Sequence, residues 1–569
     1  MELEEIVTAF KSAMDRILGY SCPPSDSTMQ PGERMIFDGG RHEIDQYFKA
    51  VDELQKSIMP SDYQIEVKSL IQTAMARLKF EFQAILARLT DIDPNDADYI
   101  SSNSGSVPEY EGVCSYPHYE MEVYYLRNIA ERMNLEGHLA YCAVAYRNSR
   151  RIIVDSCLRL RLGTKKFSTK DIQRMEWDVL QKEIKQWITS SSTCFQILFG
   201  TERLLFDDIF QGDLGTAVYD ECFVGITKDA AVQFIKFAED VCTTRPSMQK
   251  LFEMLDLYNA VLHLLSDVNY FFHSKSGECI RTRAAEVLPQ LADLIRASLL
   301  DFENGVLHEL SDPPISTGAT DFLTRYVSDY ITRIVQHKET LSKLVVSNPL
   351  INSTKCEDGI QFLEGKDRNP LELHLVWILA SLKLNLKGKY KHYKDVSLGH
   401  FSMMNNIRFI VRRIKQSPEL LEMIGKDYLD ELDENVLQEA NIYLISTWDR
   451  VVYCLRDKGL HYAFGFYKGV SKSGVPGRFK AFNTTFEEVC QAQSTWLVLD
   501  AQLREQLQNL ILEKLVPAYR SFLEQFKSYV QSGNHPEKYI NYSVEDLRDA
   551  VDGFFVEYQL CNALKSTSQ

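Results

Sequence analysis

Apolar residues recur at intervals of three and four along almost the whole chain and seldom alternate by two, the spacing of helices that bury one face. In "STKDIQRMEWDVLQKEIKQWITSSSTCFQILF" the stripe runs Ile172, Met175, Val179, Leu180, Ile184, Trp187, Ile188, Phe195 and Leu198. Trp187 and Ile188 are its expected core anchors, and Ser168 with Asp171 three residues later forms a capping box at its start. A second stripe runs Leu503, Leu507, Leu510, Ile511, Leu515, Ala518, Phe522 and Phe526. Pro517 interrupts it, yet the period resumes beyond, which predicts a kinked helix rather than two. A third helix, "MMNNIRFIVRRIK", sets Met404, Ile407, Val411 and Ile414 on one face and Arg408, Arg412 and Lys415 on another.

Between the stripes lie polar stretches rich in Pro, Gly and Ser: "CPPSDSTMQPGE" from Cys22, "DIDPNDADYISSNSGSVPEYEG" from Asp91, "SDPPISTGAT" from Ser311, "SNPLINSTKCEDG" from Ser347 and "KGVSKSGVPGR" from Lys468. They divide the chain into an N-terminal helical segment over 1–90 with a loop at 21–40, a linker over 91–118, and a helical body over 119–569. The last bundle of that body covers about 478–569. No fixed-period repeat appears. The expected fold is all-α: an elongated rod of stacked antiparallel helical bundles, essentially without sheet.

Charge narrows the function. With 63 Lys and Arg against 79 Asp and Glu the formal charge is −16, which argues against a general nucleic-acid binder. The twelve cysteines are scattered without C-x-x-C spacing, and contexts such as "TCFQILF" around Cys194 and "FEEVCQAQ" around Cys490 suit buried, reduced thiols. "MELEEIVTAF" lacks the basic and apolar regions of a secretory signal, and the run from Leu371, "LELHLVWILASLKL", is too short and polar to span a bilayer. The sequon Asn541-Tyr542-Ser543 is idle without secretion.

Catalytic patterns do not surface. There is no G-x-S-x-G, H-E-x-x-H or Walker A lysine. Gly469 and Gly474 have phosphate-loop spacing, but no Lys-Ser/Thr follows and no strand is expected before them, so a flexible loop is the better reading. His392 and His400 lie eight apart with nothing nearby to complete a metal site. One charge feature stands out. From Leu371 to Leu420 nine Lys and Arg (383, 387, 389, 391, 394, 408, 412, 413, 415) face three acids, a net of +6. This window is either the solvated face of core helices or a docking patch for anionic lipid headgroups.

Many segments, in order, resemble the plant branch of the seventy-kilodalton exocyst subunit family. They are "DIQRMEWDVLQKEIKQWI", "TERLLFDDIF", "KLFEMLDLYNAVLHLLSDV", "LTRYVSDYI", "LELHLVWILASLKLNL", "SMMNNIRFIVRRIK", "RFKAFNTTFEEVCQAQSTWLV", "LREQLQNLILEKLVPAYRSF" and "HPEKYINYSVEDL". "RMIFDGGRHEIDQYFKAVDELQK" resembles the family's N-terminal segment. The resemblance implies a rod of helical bundles and a non-enzymatic role without cofactors. That role is a subunit of the octameric exocyst, which tethers secretory vesicles to the plasma membrane in exocytosis. It implies a cytoplasmic protein, peripheral at that membrane. Its partners would be other exocyst subunits, phosphatidylinositol 4,5-bisphosphate and small GTPases, and in diverged plant copies immune-related proteins in defence.

In this sequence the expected lipid contacts are Lys387, Lys389, Lys391, Arg412, Arg413, Lys415 and, from the family's "KYIKY" motif, Lys538. That motif carries a second lysine where this chain has Asn541, so the tip is expected to be a weak contact on its own. The resemblance starts at "EEIV" with only Met1 to Leu3 before it, whereas family members carry a longer helical extension that bundles with partner subunits. Two functions stay open: a tethering subunit bridging membrane and complex, and a diverged adaptor or immune-target protein that keeps the rod for binding proteins, without strong lipid binding or stable exocyst assembly.

Overall fold

The structure is a computed structural model describing residues 2–20, 35–56, 64–89, 117–210, 216–309, 313, 315–349, 368–464, 467–471, 474–531 and 539–556. The helices, in chain order, are α1 (Glu2–Leu18), α2 (Arg41–Lys56), α3 (Gln64–Arg88), α4 (Pro117–Leu135), α5 (Leu139–Leu160), α6 (Thr169–Arg174), α7 (Trp177–Ser192), α8 (Gly200–Phe210), α9 (Thr216–Cys242), α10 (Leu251–Phe271) and α11 (Glu278–His308). They continue with α12 (Phe322–Gln336), α13 (Lys338–Leu344), α14 (Pro370–Tyr390), α15 (Val396–Gln416), α16 (Pro418–Ile424), α17 (Lys426–Tyr453), α18 (Gly474–Gln493), α19 (Ala501–Gln531) and α20 (Val544–Asp552). The chain forms two compact units, the first from Met1–Arg245 and Glu253–Leu294, the second from Pro246–Phe252 and Ile295–Gln569.

In the first unit α5 packs on α9 and α4 on α8. A three-residue turn with Gly137 at φ +72 folds α5 back onto α4, a backbone conformation that glycine adopts without penalty. Tyr146 on α5 meets Phe206 and Phe210 on α8 at 5.4 and 5.7 Å between ring centroids. Beside this aromatic layer the buried Arg150 guanidinium is paired with Glu202, which removes the penalty either charge would carry alone. The capping box of Ser168 and Asp171 forms as expected.

The stripe that follows is not one helix. Met175 and Glu176 are extended (ψ 133 and 144), so α6 ends and α7 starts on a new face. On α7 the buried set is Leu180, Ile184 and Trp187. Val179, one residue and about 100° off that face, is 46% exposed, and Ile188 is only half-buried. Trp187 is the anchor: its Nε1–H donates to Phe234 O at 3.1 Å and its ring stacks on Phe237. A π-helical turn, Thr193–Phe199, then carries Cys194 and Phe195 into the core. The described cysteines (142, 157, 194, 222, 242, 279, 454 and 490) are all free thiols.

In the second unit α14 is buried nearly all round, as a helix apolar on every side must be. Asn369 and Glu372 form a capping box at its start, with Pro370 at the first helical position. α15 packs along α17, burying Met404, Ile407, Val411 and Ile414 as the sequence pattern predicts. Phe401 of α15 gathers Tyr443, Trp496 and Phe555 within 5.6 Å. α19 runs unbroken through Pro517 and buries Leu503, Leu507, Ile511, Leu515, Phe522 and Phe526, leaving Leu510 39% exposed at the margin.

Among the described residues the expected all-α fold, essentially without sheet, holds, with one small hairpin beside the helices. His461–Phe464 (β1) and Tyr467–Val470 (β2) pair antiparallel, with His461 opposite Val470 and Phe464 opposite Tyr467. The stretch from Lys468 is therefore not a plain loop: it holds β2 and, from Gly474, the start of α18. A strand does precede the Gly469–Gly474 spacing, contrary to expectation. It is an outer arm of a two-stranded hairpin, and Val475-Pro476 stand where a phosphate loop needs Lys and Ser or Thr.

Candidate functional site

The basic window lies on α14, α15 and the turn between them, and packing decides what each cation can do. Lys389 is buried on the inner side of α14, with its Nζ 3.3 Å from Asp321 Oδ2. Asp321 also caps α12 by accepting from Leu323 N at 2.8 Å. Its own N–H donates to Asn406 Oδ1, which also accepts from the Thr324 hydroxyl, so Lys389 belongs to a closed polar network. Lys383, six residues earlier on the same helix, is equally buried and sits 3.1 Å from Glu431 of α17. Neither ammonium can reach a membrane.

The α15 cations are also engaged. Arg408 lies 3.5 Å from Asp500 and donates to Gln502 at 3.1 Å, and Arg412, with its side chain 57% exposed, lies 3.9 Å from the same carboxylate. Arg413 is paired with Asp329 of α12, and Lys415 stands 2.6 Å from Asp433 of α17. Such half-exposed pairs add little stability, but they neutralise the local field that would draw an anionic surface. Lys387 is half-buried in the last turn of α14, and Lys391 is exposed at its C-cap. Lys538 lies outside the described residues. The seven candidates are thus not one patch: Lys389 is internal, Arg413 and Lys415 are paired, and Lys391 and Arg412 reach solvent.

His392 and His400 do not converge. His392 is exposed, while His400 Nδ1 is 2.6 Å from Glu439 Oε2 and its Nε2 2.6 Å from the Tyr390 hydroxyl. Burial pushes the Tyr390 phenol up, and the Tyr390 hydroxyl and the Glu439 carboxylate together occupy both ring nitrogens of His400. Among the described residues no group of three or more His, Cys, Asp or Glu is placed to hold a metal ion, and no helix is long and apolar enough to cross a membrane.

A second basic stretch escaped the sequence reading. Over 451–480, Arg456, Lys458, Lys468, Lys472, Arg478 and Lys480 face the single acid Asp457. Of these, Arg456, Lys458, Arg478 and Lys480 are described and flank the hairpin, where α17 ends and α18 begins and where the later part of α19 passes. Arg478 Nη2 donates to Lys458 O at 3.1 Å, and His461 Nε2 is 3.4 Å from Gln525 Nε2 of α19. Lys527 follows two residues after Gln525 and is exposed, as are Arg456, Lys458 and Lys480. A running charge count would have found this stretch, but the aromatic hairpin concealed it from a search for helical faces.

Comparison with known proteins fits this architecture. The family model for the N-terminal part of exocyst complex component Exo70 matches residues 5–88, and that for the C-terminal part of the Exo70 exocyst complex subunit matches residues 185–553. The Arabidopsis thaliana exocyst complex component EXO70A1 is 30% identical over 564 residues, covering 93% of this chain and 86% of the relative. EXO70C2 of the same plant is 32% identical over 442 residues, 77% of this chain and 61% of its own length. The crystal structure of the S. cerevisiae exocyst component Exo70p superposes over 95% of this chain and 99% of its own, with a TM-score of 0.53 at 14% identity, a likeness of fold. With both family models matched in order along the chain, this protein belongs to the Exo70 exocyst-subunit family.

Proposed function

We propose that the chain is a tethering subunit of an exocyst-type complex, helping to dock secretory vesicles at the cytoplasmic face of the plasma membrane through other subunits and anionic lipid. The supporting observation is the ordered match of both the N- and C-terminal family models to one chain. Other exocyst subunits are its first partners in this reading, and small GTPases and immune-related proteins are further ones. Of the lipid contacts expected from sequence, Lys391 and Arg412 keep the exposure such a role needs.

The neutralised α15 face favours a second reading, an adaptor that holds proteins rather than lipid. Co-purification of the full chain with the remaining exocyst subunits, together with vesicle co-sedimentation, separates the two. Assembly and binding to vesicles containing phosphatidylinositol 4,5-bisphosphate support the tethering subunit. Protein capture without any vesicle binding leaves the adaptor, and failure of both sinks the exocyst role.

A further inference from the structure

We infer that the second unit binds one ordered water molecule in its interior, between Lys389, Asp321 and Ser402, as a structural ligand that joins α12, α14 and α15.

Separation is the first ground. The Lys389 ammonium lies 3.3 and 3.4 Å from the two Asp321 oxygens, whereas a direct N–H···O bond between opposite charges is about 2.7–2.9 Å long. Both side chains are buried, so bulk solvent does not hold them apart. Room is the second ground. A cavity of about 10 Å³, close to the space one water needs, is lined by Asp321, Lys389, Tyr393 and Ser402, with Leu386 and Met403 as its apolar wall.

Unspent hydrogen-bonding capacity is the third. The ammonium carries three N–H donors, and among the described residues the Asp321 carboxylate is their one acceptor. Its two oxygens take at most two of them in this arrangement, which leaves a donor over. Asp321 Oδ1 also accepts from Leu323 N at 2.8 Å, whereas Oδ2 meets Lys389 alone among the described residues. The Tyr393 hydroxyl stands 3.1 Å from Ser402 Oγ and 3.2 Å from Ile315 O, with a single proton to serve both. Whichever way that proton points, Ser402 Oγ keeps a proton or a lone pair for a further partner.

These leftovers call for a small neutral molecule that both gives and accepts. A cation in the cavity would face the ammonium and an anion would face the carboxylate, so either meets repulsion at short range. Water accepts from Lys389 Nζ, donates to Asp321 Oδ2 and makes a third bond with Ser402 Oγ, within the roughly two to four partners of an internal water. Its three partners stand on α14, at the N-cap of α12 and on α15. The bridge also engages the spare ammonium donor, and a buried ion pair offsets its desolvation only when such remaining groups are satisfied.

The test is diffraction from crystals of the full chain at a resolution that shows ordered water, with and without soaked bromide. The expected result is a peak within hydrogen-bond distance of Lys389 Nζ, Asp321 Oδ2 and Ser402 Oγ that carries no bromine anomalous signal. Direct contact of Lys389 with Asp321 and no peak between them overturns the inference. An anomalous signal at the site makes it an anion site and overturns it equally. In solution, oxygen-17 relaxation dispersion counts the waters held for longer than the protein tumbles. Ser402→Val puts a bulkier side chain without a hydroxyl at the cavity wall and should lose one such water relative to the parent. Arg412→Ala, on the exposed side of α15, should lose none. An unchanged count in natively folded Ser402→Val overturns the assignment, and the parent crystals decide it should that variant not fold.

Discussion

The Lys389 ammonium and the Asp321 carboxylate lie 3.3 Å apart, with side chains only 5% and 8% exposed. This pair turns a residue of the basic window into part of the core. Asp321 needs the lysine because it already caps α12 and is held by Asn406 through its backbone. Lys389→Ala is expected to destabilise the second unit by about 3–5 kcal/mol, since a buried carboxylate would lose its counter-charge. Lys391→Ala, two residues on at an exposed cap, should change stability by less than about 0.5 kcal/mol. Urea unfolding of the two variants compares them, and similar midpoints would contradict the network.

Trp187 joins α7 to α9 through a ring stack on Phe237 and a hydrogen bond to Phe234 O. Trp187→Ala should cost about 3–5 kcal/mol in the first unit. Trp187→Phe keeps most of the packing but loses the indole hydrogen bond to Phe234 O, a carbonyl that remains inside α9, at a cost of about 0.5–1.5 kcal/mol. Thermal unfolding followed by circular dichroism should rank the parent above the phenylalanine variant and that above the alanine variant.

Glu303 is buried against His374, whose Nε2 lies 3.0 Å from Ser347 O. Burial raises the Glu303 pKa despite the opposing pull of His374. A carboxyl whose folded pKa is raised lends stability below its ordinary value of 4.5 and loses it as pH rises through the folded value. Glu303→Gln is indifferent to that titration. Relative to the parent, the variant should therefore gain stability on going from pH 4 to neutrality. Urea midpoints measured across that range check the sign, and a gap that widens in the parent's favour would refute it.

Thiol chemistry should follow burial. Cys279 is exposed, whereas burial holds the Cys142 and Cys222 thiols up at about 12. Iodoacetamide under native conditions should label Cys279 while Cys142, Cys194 and Cys222 stay unmodified until denaturant is added. Peptide mass mapping reads each site separately, and early labelling of Cys142 would mean that α5 opens locally.

Much of the helical order is legible along the chain because its cause is local. A capping box spans three residues, as at Ser168 and Asp171, and an apolar face repeats within two turns, as on α15. Where the local signal is ambiguous the reading slips. Val179 joins the stripe only if one helix runs through Met175, and the backbone there is extended. The hairpin His461–Val470 is short and aromatic, a composition that helix periodicity does not register.

The family, too, was written in ordered segments of the chain, most of them helical stretches whose apolar pattern is local. The fate of the cations was not. Asp321 lies 68 residues before Lys389, Asp329 lies 84 before Arg413, and Glu431 lies 48 after Lys383. A count over the window sees nine positive charges and three acids, yet the acids that meet six of those cations arrive from α17, α12 with its N-cap, and the segment before α19. Coulomb attraction acts through space and depends on distance and burial, and both are set when the helices pack. Positive charge on the chain was countable from the first residue to the last, but the charge left facing solvent emerged only with the contacts between distant helices.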